Sequence, residues 1–132
     1  MQLAQFNISG DEFIVNGLQS EFQQVILNLI NNVKDILIEK EIKNPNIDIT
    51  LKDKKIYIED NGGGIPEDII ERIFEPYFTT KEQGKGIGMG LYMSKMIIEE
   101  NMGGKLSVEN ADDGAVFMID LNEQPKAVAR KI

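Results

Sequence analysis

The chain of 132 residues contains neither cysteine nor histidine. The lack of cysteine excludes disulfides and thiolate metal sites, and it suits a cytosolic protein. The lack of histidine excludes an imidazole general base, a histidine metal ligand and a histidine that receives a phosphoryl group. Chemistry that involves a histidine therefore needs a second domain or protein to supply it.

Long apolar runs and positive charge are also scarce. No apolar run approaches the ~20 residues of a membrane helix, and the polar N-terminus does not resemble a signal peptide. The formal net charge of −8 argues against nucleic-acid binding, which needs a basic stripe. We therefore expect this domain to contact neither nucleic acid nor membrane. A phosphate ligand stays possible, because backbone N–H groups, a metal ion and one or two lysines can hold it.

Hydrophobic periodicity predicts one α+β domain. Apolar residues recur at spacings of three and four after Ser20, the expected N-cap, which predicts a long first helix that ends before Asn44. In chain order the other predicted elements are two short strands within residues 3–15, a hairpin of "IDITL" and "KIYIE", a short helix "PEDIIERIF", a long loop over residues 75–90, a helix from about Gly90 to Met102, a hairpin of "KLSVEN" and "AVFMIDL", and a polar tail at residues 122–132. This order predicts a two-layer α/β sandwich in which helices cover one face of a mainly antiparallel sheet.

The stretch "GKGIGMGL", residues 84–91, places glycine at every second position directly before a predicted helix. The spacing does not fit the dinucleotide-binding fingerprint, whose third glycine would fall on Met89 or Leu91. It also fails the P-loop, which needs Ser or Thr after Gly-Lys, and the protein-kinase glycine loop. Two interpretations remain: a flexible hinge, or a cradle of bare N–H groups that receives phosphate oxygens at a helix N-terminus.

The stretch "DNGGGIP" ends a predicted strand with Asp60 and three glycines. A tight turn is one explanation, since Asp-Asn-Gly is good turn chemistry. A turn does not need three glycines, however. A carboxylate that faces a glycine-lined slot is suited to accept a hydrogen bond from an exocyclic amine such as adenine N6, whereas the acceptor oxygen of guanine would be repelled.

The stretch "NLINN" places two amides in register on the first predicted helix. Asn28 and Asn32 are four residues apart at the border of the apolar stripe, while Asn31 falls nearly opposite and is expected to be solvated. Asparagine is a mediocre helix former, so the pair needs a reason. The amides are either satisfied within the protein or act as neutral oxygen ligands for Mg²⁺, which takes the rest of its shell from waters and substrate phosphates.

Four stretches of the chain resemble, in order and spacing, the sequence boxes of the catalytic, ATP-binding domain of bacterial sensor histidine kinases. They are "NLINN" for the N box, "DNGGGIP" for the G1 box, "IFEPYFTTK" for the F box and "GKGIGMGL" for the G2 box. Four ordered motifs are far more specific than any one of them. The resemblance, which extends to the superfamily of gyrase, Hsp90 and MutL, implies a Bergerat fold over residues 1–121 with ATP under a lid at about residues 66–90.

The resemblance also assigns roles residue by residue. Asp60 would bind the adenine amine, Asn32 would ligate Mg²⁺, and Asn28 would lie near the phosphates and the metal. Asn28 and Lys81 are the candidate catalytic residues, and for Lys81 a solvated surface lysine is an equal alternative. The whole predicted ATP site consists of Asn28, Asn32, Asp60, Gly62, Gly64, Ile65, Phe74, Thr80, Lys81, Gly86, Gly88, Met89, Gly90 and Leu91. Phe74 and Phe78 would anchor the lid, with ordinary core packing as the alternative.

One position separates a kinase from an ATPase. By resemblance, ATPases of this superfamily carry a glutamate four residues before the Mg²⁺-binding asparagine. In this chain that position is occupied by Asn28. Because an amide cannot act as a general base, the resemblance favours phosphoryl transfer to a histidine on a separate dimerisation domain, with a response regulator downstream and a cytoplasmic location.

Two alternatives stay open. Ile87 stands where this family usually has Thr or Ser, which favours a degenerate module that binds nucleotide without transfer. A serine kinase of the anti-sigma type shares the same boxes.

Overall fold

The computed structural model describes residues 4–78 and 89–122 of the chain. Within this part, strands and helices follow one another in the predicted order, except that a second N-terminal strand and the short helix over residues 66–74 are absent. The strands are β1 Gln5–Gly10, β2 Asn46–Lys52, β3 Lys55–Asp60, β4 Lys105–Asn110 and β5 Ala115–Asp120. The helices are α1 Gln19–Glu39 and α2 Gly90–Met96, and α2 continues without a break into a π-helical segment, Ile97–Asn101.

The strands form a single mixed sheet with the order β1-β2-β3-β5-β4. β1 runs parallel to β2, whereas the β2–β3, β3–β5 and β4–β5 pairs are antiparallel. The β2–β3 connection is a two-residue turn in which Asp53 and Lys54 have φ values of 53° and 58°, the left-handed geometry that suits the twist of a hairpin. The predicted mainly antiparallel sheet is therefore confirmed.

The helices cover one face of this sheet. On α1 the buried residues recur every four positions, at Val25, Leu29, Val33 and Leu37, so that one stripe faces the strands. Alternate side chains of the strands point towards this stripe, among them Ile58 and Phe117, which are at most 1% exposed. The predicted two-layer α/β sandwich is confirmed, with the core between the helices and the sheet.

Two local predictions near the N-terminus were wrong. The run "EFIV" does not form a second strand, although Phe13 and Val15 pack partly against the core and Ile14 is 89% exposed. The apolar side chains of this segment are therefore buried at every second position, although its backbone pairs with no strand. The first helix begins at Gln19 with Leu18 as its N-cap, so that Ser20 lies in the first turn and does not cap it.

The predicted helix "PEDIIERIF" was also wrong as a regular helix. Residues 67–74 form consecutive turns, in which the N–H groups of Ile69 and Arg72 bond the carbonyls three residues earlier. Ile73 is buried and Phe74 packs against the core, so the apolar side chains that suggested a helical stripe are held in place by the turns.

The last predicted helix has the expected extent but not a uniform geometry. It changes from α to π geometry at Ile97, which buries both Ile97 and Ile98 in the core. Gly103, with φ of +75°, lies just beyond its end, as predicted. Within the described residues, none of the helices combines the length and the apolar character that crossing a bilayer requires.

Candidate nucleotide-binding site

One ridge of α1 connects the two glycine-rich parts of the chain. Asn28, Asn32, Ile36 and Lys40 follow one another at intervals of four residues, from the middle of the helix to its C-cap. The ridge spans roughly 18 Å at 1.5 Å per residue. Its first member contacts Gly90 at the start of α2, and its last two contact the loop after β3, which comprises residues 61–65.

Asp60 carries a buried carboxylate at the end of β3, and the residue has only 6% of its surface exposed. Its Oδ1 accepts hydrogen bonds from the N–H of Gly62 at 2.7 Å and of Ala115 at 3.5 Å. Oδ2 makes no hydrogen bond with the described residues. No fully buried side-chain oxygen or nitrogen in this part of the chain lacks a partner, so Oδ2 keeps some exposed surface and is available as an acceptor.

The protonation of Asp60 reflects this burial. Loss of hydration raises the pKa of its carboxyl above the ordinary value of 3.8. This rise is only partly offset by the hydrogen bonds from Gly62 and Ala115 and by the charge of Lys40, which lower the pKa. A carboxylate kept in such surroundings accepts hydrogen bonds strongly, because little water competes for it.

Glycines surround Asp60 because side chains would not fit there. A Cβ on Gly62 would lie 3.0 Å from Asp60 Oδ1, and one on Gly114 would lie 2.1 Å from the Asp60 carbonyl oxygen. Gly64 has φ of +83°, and a Cβ there would lie 2.9 Å from Asn110 Oδ1. The requirement at Gly114 was missed from the sequence, since it arises only when β5 pairs with β3.

The loop over residues 61–65 is held by side chains that sequence reasoning also missed. Lys40 Nζ donates to the carbonyl oxygens of Gly62 at 2.8 Å and Gly64 at 3.2 Å. Asn110 accepts the N–H of Ile65 at 2.7 Å and donates to its carbonyl oxygen at 2.8 Å. Although three consecutive glycines make the chain intrinsically flexible, these bonds fix the path of the loop.

The two asparagines of α1 have different surroundings. Asn28 is half-buried, accepts a bond from Gln24 at 2.8 Å, and donates to the Gly90 carbonyl at 3.4 Å and to the buried Ser94 hydroxyl at 3.3 Å. Asn32 is half-buried too, but its side chain makes no hydrogen bond with the described residues. Asn28 therefore ties α1 to α2, and Asn32 is the amide that is available to a ligand.

The aromatic residues of the third motif pack against the core. Phe74 meets Phe117 edge to face, with ring centroids 6.2 Å apart, and Lys95 Nζ lies 5.0 Å from the Phe74 centroid. Arg72 lies over the Phe78 ring at 4.9 Å. These contacts are those expected if Phe74 and Phe78 serve core packing. They also hold the segment over residues 72–78 in place.

The remaining predicted residues divide into two groups. Ile65, Met89 and Leu91 are half-buried, and a Cβ on Gly90 would have its nearest neighbour at 3.9 Å, so packing among the described residues does not demand glycine there. The others fall in residues 79–88, outside the part that the structure describes; they are Thr80, Lys81, Gly86 and Gly88, and Ile87 lies there as well. For this second group the predictions stay predictions.

Comparisons with known proteins show what the chain is similar to. Residues 17–125 match the family model described as histidine kinase-, DNA gyrase B- and HSP90-like ATPase. The chain is 38% identical over 119 residues to the two-component sensor PprA of Pseudomonas aeruginosa, covering 82% of this chain and 12% of that protein. It spans less than a fifth of the length of the first curated relatives that it matches.

Solved structures give the same result for the fold. The nucleotide-free catalytic domain of histidine kinase ThkA superposes with a TM-score of 0.71 at 36% identity, covering 88% of this chain and 76% of that one. The complex of histidine kinase ThkA with the response regulator protein TrrA superposes with a TM-score of 0.64 at 30% identity, covering 86% of this chain and 32% of that one.

The raised pKa of Asp60 predicts a pH-dependent stability difference. Between the ordinary pKa of 3.8 and the higher folded-state pKa, the folded state binds more protons than the unfolded state, so this group destabilises the fold as the pH rises. We expect Asp60→Asn to raise the free energy of unfolding at neutral pH, and the gain to vanish in acid. Urea unfolding of both proteins across this pH range measures the difference.

The matched control is Glu59→Gln, which removes an exposed carboxylate from the adjacent position. It should not reproduce the effect. If Asp60→Asn is less stable than the parent at neutral pH, the carboxylate is not the source of strain that its burial implies.

Proposed function

The chain belongs to the family of histidine kinase-, DNA gyrase B- and HSP90-like ATPases, and we propose on that basis that it is the ATP-binding catalytic domain of a two-component sensor histidine kinase. The domain would span residues 1–121 with a tail at residues 122–132, and it would act in the cytoplasm, where ATP is available. One observation carries the proposal: a buried carboxylate, Asp60, keeps one oxygen free beside a glycine-lined loop.

The residues around Asp60 fit a purine that carries an exocyclic amine. Oδ1 is occupied by backbone donors, which leaves Oδ2 as an acceptor for an amine N–H. Gly62 and Gly114 let the backbone pack directly against Asp60, since a Cβ at either position would lie within 3.0 Å of Oδ1. We therefore assign adenine recognition to Asp60, with Gly62, Gly64 and Ile65 forming the adjoining wall.

The α1 ridge fits a Mg²⁺ ion that is carried in by the triphosphate. Asn32 Oδ1 would supply one neutral oxygen ligand, and Asn28 would stand beside it. No group of three or more acidic side chains in the described part of the chain could hold a metal by itself, so most ligands would be phosphate oxygens and water. When bound, Mg²⁺ supplies positive charge against the negative oxygens of the phosphates.

The same ridge favours transfer over hydrolysis. Asn28 holds the position where a general base would activate water, and its amide is engaged with Gln24, Gly90 and Ser94. With neither a base there nor a histidine in the chain, the acceptor would be a histidine of a dimerisation domain, and a response regulator would receive the phosphoryl group afterwards. The relative ThkA has been solved in complex with the response regulator protein TrrA, which supports a response regulator as a partner.

A second candidate is a degenerate module that binds nucleotide without transfer. It is favoured by Ile87, which removes a hydroxyl from the segment that the resemblance assigns to the phosphates. A lost hydrogen bond to a charged group is worth about 1.5–3 kcal/mol.

Asp60→Asn should abolish measurable ATP binding while the fold is retained. The substitution replaces an acceptor with a donor, or turns the amide so that its N–H₂ faces the backbone N–H groups of Gly62 and Ala115. Calorimetric titration with ATP measures the loss. Glu59→Gln, which removes the same charge from an exposed neighbour, should bind ATP like the parent. Equal affinities for all three proteins would remove Asp60 from this role.

Asn32→Ala should uncouple ATP binding from Mg²⁺. We expect Mg²⁺ to strengthen ATP binding by the parent protein, and this enhancement to be lost in the variant while the affinity without Mg²⁺ stays close to that of the parent. Asn31→Ala, an exposed neighbour on the same helix, is the control and should keep the enhancement. The same enhancement in Asn32→Ala would show that another group holds the metal.

Labelled ATP should yield a phosphorylated histidine on a cognate dimerisation domain that is mixed with this chain. The bond formed should be acid-labile and absent when the acceptor histidine is replaced. ATP binding without transfer would favour the degenerate module, and Ile87→Thr would then be expected to restore transfer.

A further inference from the structure

Lys40 combines two roles at the C-terminal end of α1. Its backbone N–H bonds the Ile36 carbonyl at 3.0 Å, which completes the last helical turn. A lysine at this position is ordinarily explained by the negative end of the helix dipole. Here, however, its ammonium group reaches across to a different segment and donates to the carbonyl oxygens of Gly62 at 2.8 Å and Gly64 at 3.2 Å.

These two carbonyls set the orientation of the loop that supports Asp60. They flank Gly63, whose φ of +87° is a conformation that only glycine adopts readily. The peptide N–H of Gly62 donates to Asp60 Oδ1, so that the same glycine is held on one side by the ammonium and on the other by the carboxylate. Without the ammonium, the Gly62 and Gly64 carbonyls lose the donor that they share, and the loop keeps only its other bonds, among them the one from the Gly63 N–H to the Asp113 carbonyl at 2.8 Å. The Gly62 peptide, whose N–H donates to Asp60, is then held less firmly.

We propose that Lys40 is a positioning residue for nucleotide recognition, whose ammonium holds the loop over residues 61–65 so that Asp60 Oδ2 faces the purine amine. Lys40 itself touches no nucleotide in this role and acts through the loop. The inference rests on the proposed function, because it concerns the same pocket.

The charge of Lys40 also acts on Asp60 directly. Burial raises the pKa of Asp60, and the ammonium of Lys40 opposes this rise. Of the charged groups that the described residues place around Asp60, on α1, on the neighbouring β2 and β5 and in the loop, Lys40 is the one whose charge lowers the pKa of Asp60. Removal of that charge should therefore extend the protonated form of Asp60 to higher pH.

The experiment measures ATP affinity by calorimetry across pH for the parent, Lys40→Met and Lys40→Arg. Lys40→Met keeps the aliphatic stem but loses donor and charge, and we expect about tenfold weaker ATP binding, equivalent to one charge-assisted hydrogen bond. We also expect the pH below which ATP binding weakens to move upward. Lys40→Arg, which keeps the charge and several donors, should restore both properties. Lys43→Met removes an exposed lysine three residues further on and should bind like the parent.

The outcomes separate the two proposals. A parent protein that does not bind ATP overturns the proposed function and this inference together. A parent that binds ATP, with Lys40→Met showing the same affinity and the same pH dependence, overturns the role of Lys40 alone. If Lys40→Met lowers the thermal stability but changes neither the ATP affinity nor its pH dependence, Lys40 only stabilises the end of α1. That result also overturns its positioning role. If Lys40→Met does not fold, Lys40→Gln replaces it. This variant removes the charge but keeps a shorter donor, so an unchanged pH dependence of ATP binding would overturn the role of Lys40.

Discussion

The site depends on the burial of one negative charge at the end of β3. Removing a carboxylate from water is costly unless hydrogen bonds and opposite charge offset the loss. Asp60 obtains this support from three parts of the chain: the Gly62 N–H of the loop, the Ala115 N–H at the start of β5 and the ammonium of Lys40 at the end of α1. The support reaches one carboxylate oxygen and leaves the other free. A group that destabilises the fold and keeps an open acceptor is typical of residues that are retained for binding.

The first helix organises the rest of the site around this charge. Its buried stripe attaches it to the sheet, and a second ridge, which borders the stripe, carries Asn28, Asn32, Ile36 and Lys40. One end of the ridge contacts the start of α2 and the other end contacts the glycine loop. Because a helix is stiff over this length, it fixes the distance between the purine end and the phosphate end of the proposed pocket. The tertiary fold therefore sets the span of the site, while the loops set its chemistry.

Much of this could be predicted from the sequence, because the information was local. Short sequence motifs were enough to single out Asp60 with its glycines and the pair Asn28 and Asn32. The hydrophobic periodicity of the strands and helices was enough to predict the two-layer sandwich. The roles of Lys40, Asn110 and Gly114 could not be predicted, since each depends on a partner distant along the chain: Gly62, Ile65 and Asp60 respectively. The errors at residues 12–15 and 66–74 have a related cause. Periodicity reports which side chains are buried, but it does not say whether the backbone has a strand partner or prefers turns.

The central claim is that a free carboxylate oxygen of Asp60 selects the exocyclic amine of adenine. Its most direct test is a calorimetric comparison of ATP with inosine triphosphate, which carries a carbonyl oxygen where ATP carries the amine. The account predicts that inosine triphosphate binds about 10- to 100-fold more weakly, because a charge-assisted hydrogen bond of about 1.5–3 kcal/mol is replaced by repulsion between two acceptors. Equal affinity for the two nucleotides would contradict it.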